Sequence, residues 1–218
     1  MVDLSELEKL IKTRRSIRKW KPDPVDVGMI RQAMELACWA PNGGNQQTWM
    51  YRVVQNRDII IRMADAVRKK AETVASWPQA ATVGPILERY VQNADFFRGA
   101  PVVVAALAGQ YTSPMDLAMR ARGESDPECF SMVQARQLAR SSVQSVAAAV
   151  TYLCLIFHQM GLGAVWMSGP LIAKNEIQAI LKIPEGYDLV ALVPVGYPAE
   201  SPPVRERKPL DEVMSIIN

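Results

Sequence analysis

A single histidine, His158, is the whole imidazole complement of this chain of 218 residues. A Ser-His-Asp or Cys-His machine would have to be built on it. A histidine closing a helix ordinarily serves the helix dipole and packing instead. Cysteine is scarce as well. Cys38, Cys129 and Cys154 are far apart, odd in number and never spaced as C-x-x-C, which argues against a disulfide framework or a zinc site and for reduced thiols. None has a basic cluster or histidine beside it in sequence, so none is expected to be catalytic. No cluster of metal-ligand residues is visible, and no metal is expected. Gly-x-Gly-x-x-Gly after a strand and Gly-x4-Gly-Lys-Ser/Thr are both missing, which removes the dinucleotide Rossmann and P-loop readings. The greasiest stretch, residues 146–157, falls short of the roughly 20 residues that span a bilayer. The first residues, Met-Val-Asp-Leu-Ser-Glu, contain no apolar leader. A cytoplasmic protein with no membrane partner is expected.

What is present is a core and a concentrated positive charge. Apolar residues make up 49% of the chain, enough for a packed interior and too many for disorder. No composition break divides it, so residues 1–218 are read as one domain. The 25 Lys and Arg exceed the 22 Asp and Glu by only three, a mild balance for a dedicated nucleic-acid binder. The excess is local. Lys12-Thr13-Arg14-Arg15-Ser16-Ile17-Arg18-Lys19-Trp20-Lys21 has six basic residues and no acid, and Arg205, Arg207 and Lys208 lie near the other end. A cationic, hydroxyl-bearing run between two ordered helices can grip a phosphate. That phosphate could belong to nucleic acid, nucleotide or cofactor. Local placement favours a small anion over a polyanion track.

Periodicity predicts a mostly helical chain with four or five strands. Ser5 and Glu8 have capping-box spacing for a helix over residues 5–13. Asp26 can cap a second, with Val27, Ile30, Met34, Ala37 and Cys38 on one face. Helices are also predicted over 57–76, 85–97, 174–181 and 210–217, and one long helix over 132–160 that ends with His158 and Gly161. Strands are predicted over 49–54, 101–107, 164–167 and 188–195. Residues 183–186 read as a turn and 198–203 as a proline-rich linker. Residues 109–130 lack a clear period and read as a long connection of the kind that forms lids or binding loops.

A chain with few acid–base groups but a phosphate grip suits an enzyme whose cofactor brings the chemistry. The loop Ala40-Pro41-Asn42-Gly43-Gly44-Asn45-Gln46-Gln47 allows close backbone approach, and its amides can read the edge of a heteroaromatic ring. The same spacing also fits an ordinary helix-to-strand turn.

Arg14-Arg15-Ser16-Ile17-Arg18-Lys19-Trp20 resembles the N-terminal motif of the FMN-dependent nitroreductase family. Ala40 to Trp49 resembles its second motif. Gly161-Leu162-Gly163-Ala164-Val165-Trp166-Met167-Ser168-Gly169-Pro170 resembles its third. The segments Ile183 to Tyr187, Val195 to Pro198 and Arg207 to Leu210 complete the order over nearly the whole chain. The resemblance implies an α+β fold, a mostly antiparallel sheet flanked by helices, in an intertwined homodimer with two FMN sites at the interface. It implies that Arg14, Arg15, Ser16 and Arg18 hold the phosphate and ribityl chain, with Arg207 or Lys208 reaching the same phosphate. Ser168 and Gly169 would lie along the isoalloxazine ring. Pro41, Asn42, Gly43 and Asn45 would approach that ring from the partner subunit. Three positions depart from the pattern: Asn42 where serine is commoner, Thr48 where proline is commoner, and Thr151-Tyr152 where Gln-Asn is often seen.

The resulting expectation is an FMN oxidoreductase that takes electrons from NADH or NADPH and passes them to a nitroaromatic, a quinone or free flavin. Its partners would be a second copy and a small-molecule acceptor, with no nucleic acid. Rival readings are a flavin-binding sensor, a flavin-fragmenting or dehalogenating branch of the same superfamily, and a nucleic-acid binder using residues 12–21.

Overall fold

The computed structural model describes residues 3–123 and 126–217. Four strands form one antiparallel sheet in the order β1-β2-β4-β3. Strand β1 is Trp49–Val54, β2 is Val102–Ala108, β3 is Gly163–Ala164 and β4 is Asp188–Gly196. Pairing runs from Trp49↔Ala108 to Val54↔Val103, then from Val102↔Val195 to Ala108↔Asp188, with a bulge between Ala106 and Leu107. The short β3 sets Gly163 opposite Gly196 and Ala164 opposite Val195.

Every residue of β2 is buried, as its unbroken apolar run requires of a strand covered on both faces. One face of the sheet, with Val102, Val104, Ala106 and Val193, packs on α2 (Val27–Ala37) and α7 (Ser141–Gln159). The other, with Val103, Ala105, Leu107 and Leu192, packs on α3 (Arg57–Ala75) and α8 (Lys174–Leu181). Helix α7 buries Val146, Val150, Leu153 and Phe157, each worth roughly 1.5–3 kcal/mol against exposure. The remaining helices are α1 (Leu4–Thr13), α4 (Pro85–Gln92), α5 (Pro114–Arg122) and α6 (Pro127–Ala139).

Several expectations are corrected. The cap of α1 is Asp3, whose carboxylate accepts from Ser5 N at 3.3 Å and Ser5 Oγ at 2.6 Å; a carboxylate two residues earlier supersedes the Ser5–Glu8 box. Asp26 precedes α2, but its side chain makes no capping bond. Val27 is exposed, and Ala33 takes its place on the buried face. The helix predicted over 85–97 stops at Gln92, and Phe96–Gly99 forms a separate 3-10 turn.

The connection at 109–130 is largely helical. Ser113 and Asp116 form a reciprocal capping box with Pro114 at the first position of α5, and α6 starts at Pro127; Glu124 and Ser125 lie outside the described residues. The long helix is two, broken at Arg140 in the left-handed conformation (φ 45°, ψ 52°). By length and composition alone, Pro127–Gln159 is apolar enough to cross a membrane; here the chain breaks inside it and α7 forms the centre of the core. Gly161, with φ 77°, supplies the left-handed residue after α7 as expected. The terminal helix reduces to a 3-10 turn, Leu210–Glu212. Residues 203–217 are all exposed, and a short helix without a face to bury does not hold.

Candidate functional site

The basic run leaves α1 in extended conformation, with Arg14 at φ −57° and ψ 132°. The main chain is then stitched to the sheet edge. Ile17 N donates to Ala164 O at 3.1 Å, Lys21 N to Tyr197 O at 2.9 Å, and Ala199 N to Lys19 O at 3.0 Å. The Glu200 carboxylate accepts from Arg18 N at 2.5 Å and Lys19 N at 3.1 Å. Trp20 Nε1 donates to Gly163 O at 2.8 Å, and its ring stacks on Phe96 with centroids 6.2 Å apart. Ile17 is buried while Arg14, Arg15 and Ser16 are half-buried and Arg18 is exposed. With Ile17 turned inward, alternation along an extended chain turns its neighbours Ser16 and Arg18 outward.

Outward from this segment lies a cleft of about 870 Å³ between residues 11–18 and the tail residues 202–207. Arg14, Arg15, Ser16, Arg18 and Arg207 all border it. Lys208 does not, so of the two tail candidates Arg207 is the one brought to the run. Arg205 and Glu206 join it there. Arg15 is occupied, its Nη1 donating to Lys12 O at 2.6 Å and Arg14 O at 2.7 Å. Among the described residues, Arg14, Arg18 and Arg207 have no carboxylate ion pair. Three guanidiniums without a paired carboxylate around one concavity favour an anion with several acceptor oxygens.

Arg18 also borders a second cavity, of about 940 Å³. Ser168 and Gly169 lie there, together with Trp20, Tyr90, Phe96 and Trp166. A Cβ on Gly169 would stand 2.7 Å from Tyr90 Oη, so the α4 tyrosine lies close over this turn. The aromatic lining and Glu200 were not singled out by the sequence motifs. Trp20 was visible inside the basic run, whereas Glu200 has no local signal.

Pro41, Asn42, Gly43 and Asn45 border neither cavity. Their loop sits at the start of α7. Gly43 N donates to Ser145 Oγ at 3.4 Å, Gln47 N to Asn42 Oδ1 at 2.9 Å, and Gln46 Nε2 to Thr112 O at 2.6 Å. Gly44, Asn45 and Gln47 all have positive φ. Pro41 and Asn45 are exposed, so the loop faces outward from this chain. Thr48, the departure from proline, leaves its Oγ1 buried without a hydrogen-bond partner, as is Tyr51 Oη. Burial pushes the Tyr51 phenol well above its ordinary range.

Two of the three thiols, Cys38 and Cys154, are held above their ordinary range. Burial pushes Cys154 up to about 11, although Arg14 pulls in the opposite direction. Burial raises Cys38 too, with a hydrogen bond to Trp49 opposing. Among the described residues no three His, Cys, Asp or Glu side chains gather as metal ligands.

A model of the nitroreductase family matches residues 11–197, which takes in the basic run, the loop and the Ser168 turn. The chain belongs to the nitroreductase family. It is 31% identical over 205 residues to an NADH dehydrogenase of Thermus thermophilus, covering 92% of this chain and 91% of the relative. Among solved structures it resembles a BluB-like flavoprotein from Clostridium difficile 630, with TM-score 0.85, 25% identity and coverage of 97% and 99%. A nitroreductase with bound FMN from Desulfitobacterium hafniense shares the fold, with TM-score 0.72, 18% identity and full coverage of both chains. The α+β fold, with an antiparallel sheet flanked by helices, is that of this nitroreductase family member and its structural relatives.

Proposed function

We propose that this nitroreductase is an FMN-dependent oxidoreductase of the cytoplasm that moves electrons from NADH or NADPH to a small electron-poor acceptor such as a nitroaromatic, a quinone or free flavin. The observation that carries this reading is that Arg18 lines both cavities, a cationic cleft and an aromatic one. One end of FMN is a dianion and the other a flat tricycle, so the residues present fit both ends. Arg14, Ser16, Arg18 and Arg207 hold the phosphate and ribityl chain, while Ser168 and Gly169 border the ring. Arg15, tied to its own backbone, shapes the segment.

When bound, FMN supplies the two-electron chemistry, taking hydride equivalents from the nicotinamide and yielding them to the acceptor. The protein binds, orients and excludes. Charge-assisted bonds from the arginines anchor the phosphate. Trp20, Tyr90, Phe96 and Trp166 supply apolar surface against which flat molecules lie with little water between. His158 lines neither cavity, and water can supply the protons. The second subunit of a homodimer brings Pro41, Asn42, Gly43 and Asn45 to the open side of the ring, the role for which their outward-facing loop is suited.

Titrating apoprotein with FMN and with riboflavin tests the site. A charge-assisted hydrogen bond contributes roughly 1.5–3 kcal/mol, so Arg14→Ala should weaken FMN binding by about one to two orders of magnitude. Riboflavin, which lacks the phosphate, should bind wild type poorly and respond little to the substitution. Equal losses for both ligands would assign Arg14 to the fold and overturn the phosphate placement.

A further inference from the structure

His158 lies outside both cavities yet one residue away from the phosphate grip in space. Its Nε2 is 2.9 Å from Thr13 Oγ1, and Thr13 is joined by a peptide bond to Arg14. The Thr13 hydroxyl has one proton, and it is given to Lys9 O at 2.7 Å. The imidazole must therefore donate from Nε2 to Thr13, which leaves Nδ1 as the atom that gains or loses a proton. Half-buried in the last turn of α7, the ring faces Glu6 and Lys9 of α1 across a shallow cleft, and Arg14 and Arg15 are near enough to act on its charge. Arg14 also acts on Cys154, one turn earlier on the same helix.

We propose that His158 is a positioning residue of the phosphate grip, and that binding of the FMN phosphate is coupled to uptake of a proton at His158 Nδ1. The proposal rests on the phosphate placement given above. Its physical basis is a balance. The carbonyl end of α7 favours an imidazolium. Burial, Arg14 and Arg15 disfavour it and hold the ring below its ordinary range. A phosphate dianion on Arg14 cancels the repulsive part and leaves the attractive part in place. The imidazolium then forms a stronger, charge-assisted bond to Thr13, which fixes the end of α1 and the start of the grip. By linkage, if phosphate favours the proton, the proton favours phosphate.

The chain has one histidine, so its ring gives a single Cε1–H signal in a proton NMR titration. In apoprotein the midpoint should lie below that of a free histidine. Saturating FMN should move it to higher pH, and riboflavin should not. Arg14→Ala should raise the apoprotein midpoint and abolish the response to FMN. In binding experiments, His158→Gln keeps a donor for Thr13 but cannot titrate. The ratio of FMN dissociation constants, variant over wild type, should rise roughly threefold between about pH 8 and pH 6. The ionisation of the FMN phosphate itself cancels in that ratio. A midpoint unmoved by FMN, or moved equally by riboflavin, would overturn the proposal, as would parallel pH profiles. The two readings separate cleanly. Equal affinity for FMN and riboflavin removes the phosphate site itself, whereas strong preference for FMN with an unresponsive His158 removes only the coupling.

Discussion

Gly163 carries a hydrogen where any other residue would place a carbon 2.6 Å from Ile17 Cγ1 and 2.8 Å from Ile17 Cβ. Ile17 cannot swing away, because its Cβ is part of the clash and its N–H is bonded to Ala164 O. Gly163→Ala must therefore push the whole extended segment off the sheet. Overpacking of this kind costs about 1–3 kcal/mol, and the displaced groups include Arg14, Ser16 and Arg18. Thermal unfolding and FMN titration of this variant should show a lowered Tm together with an FMN affinity reduced by about tenfold. A variant with normal FMN affinity would mean the β3 contact does not set the grip. At the same scale, Cys154 should resist alkylation in the folded protein at about pH 8, since only a small fraction is thiolate when burial raises the thiol to about 11. Mass spectrometry of labelled peptides reads this directly, and rapid labelling of Cys154 in native protein would contradict it.

At the scale of elements, α8 ends in a Schellman turn with an unfavourable occupant. Lys182 N donates to Ala179 O and Ile183 N to Gln178 O, with Lys182 at φ 50° and ψ 53°. Glycine adopts that conformation without a Cβ penalty. Lys182→Gly should raise stability by about 0.5–1 kcal/mol, read as a rightward shift of the denaturant midpoint at unchanged slope. A leftward shift would show that the lysine contributes more than its backbone costs. Elements with complete local signals were legible in the sequence. Trp49–Val54 and Lys174–Leu181 have the predicted bounds, since β-branched and aromatic enrichment marks one and helical spacing before a turn marks the other. The break at Arg140 was not legible, because no glycine, asparagine or proline announces it. The box Ser113-Pro114-Met115-Asp116 was present as a signal but was outweighed by the mixed composition around it. The tail helix failed for the opposite reason: its local pattern is adequate, and nothing within this chain covers it. Likewise the basic run identified the grip, while Glu200, held to it across 182 residues, is set by topology alone.

At the scale of the whole molecule, apolar surface remains uncovered. Leu4 and Ile11 on α1, Trp39 after α2, Tyr152 on α7, and Ile216 and Ile217 in the tail are all exposed, Trp39 at 84% and Ile217 at 94%. Apolar side chains spread over two helices, a helix end and a tail with no internal partner suit an obligate interface, above roughly 2,000 Å², between two copies of this chain. The outward-facing loop at Pro41–Asn45 then has a second subunit to serve. Light scattering should return twice the 24.2 kDa chain mass at low micromolar concentration. A mass of 24.2 kDa there would leave both the dimer and the shared ring site without support.

The stitching of residues 14–21 to the sheet edge also sets an order of events during biosynthesis. The arginines leave the ribosome well before their supports: Gly163 lies 143 residues beyond Trp20, and Glu200 lies 182 beyond Arg18. Until β4 and the residues after it have emerged, the run is a bare cationic strand with no opposite wall. Closure of such long-range contacts is slow, and chains fold from the N-terminus as they are made. The cationic run is therefore present long before the edge that holds it, and the grip is among the last features of the fold to close.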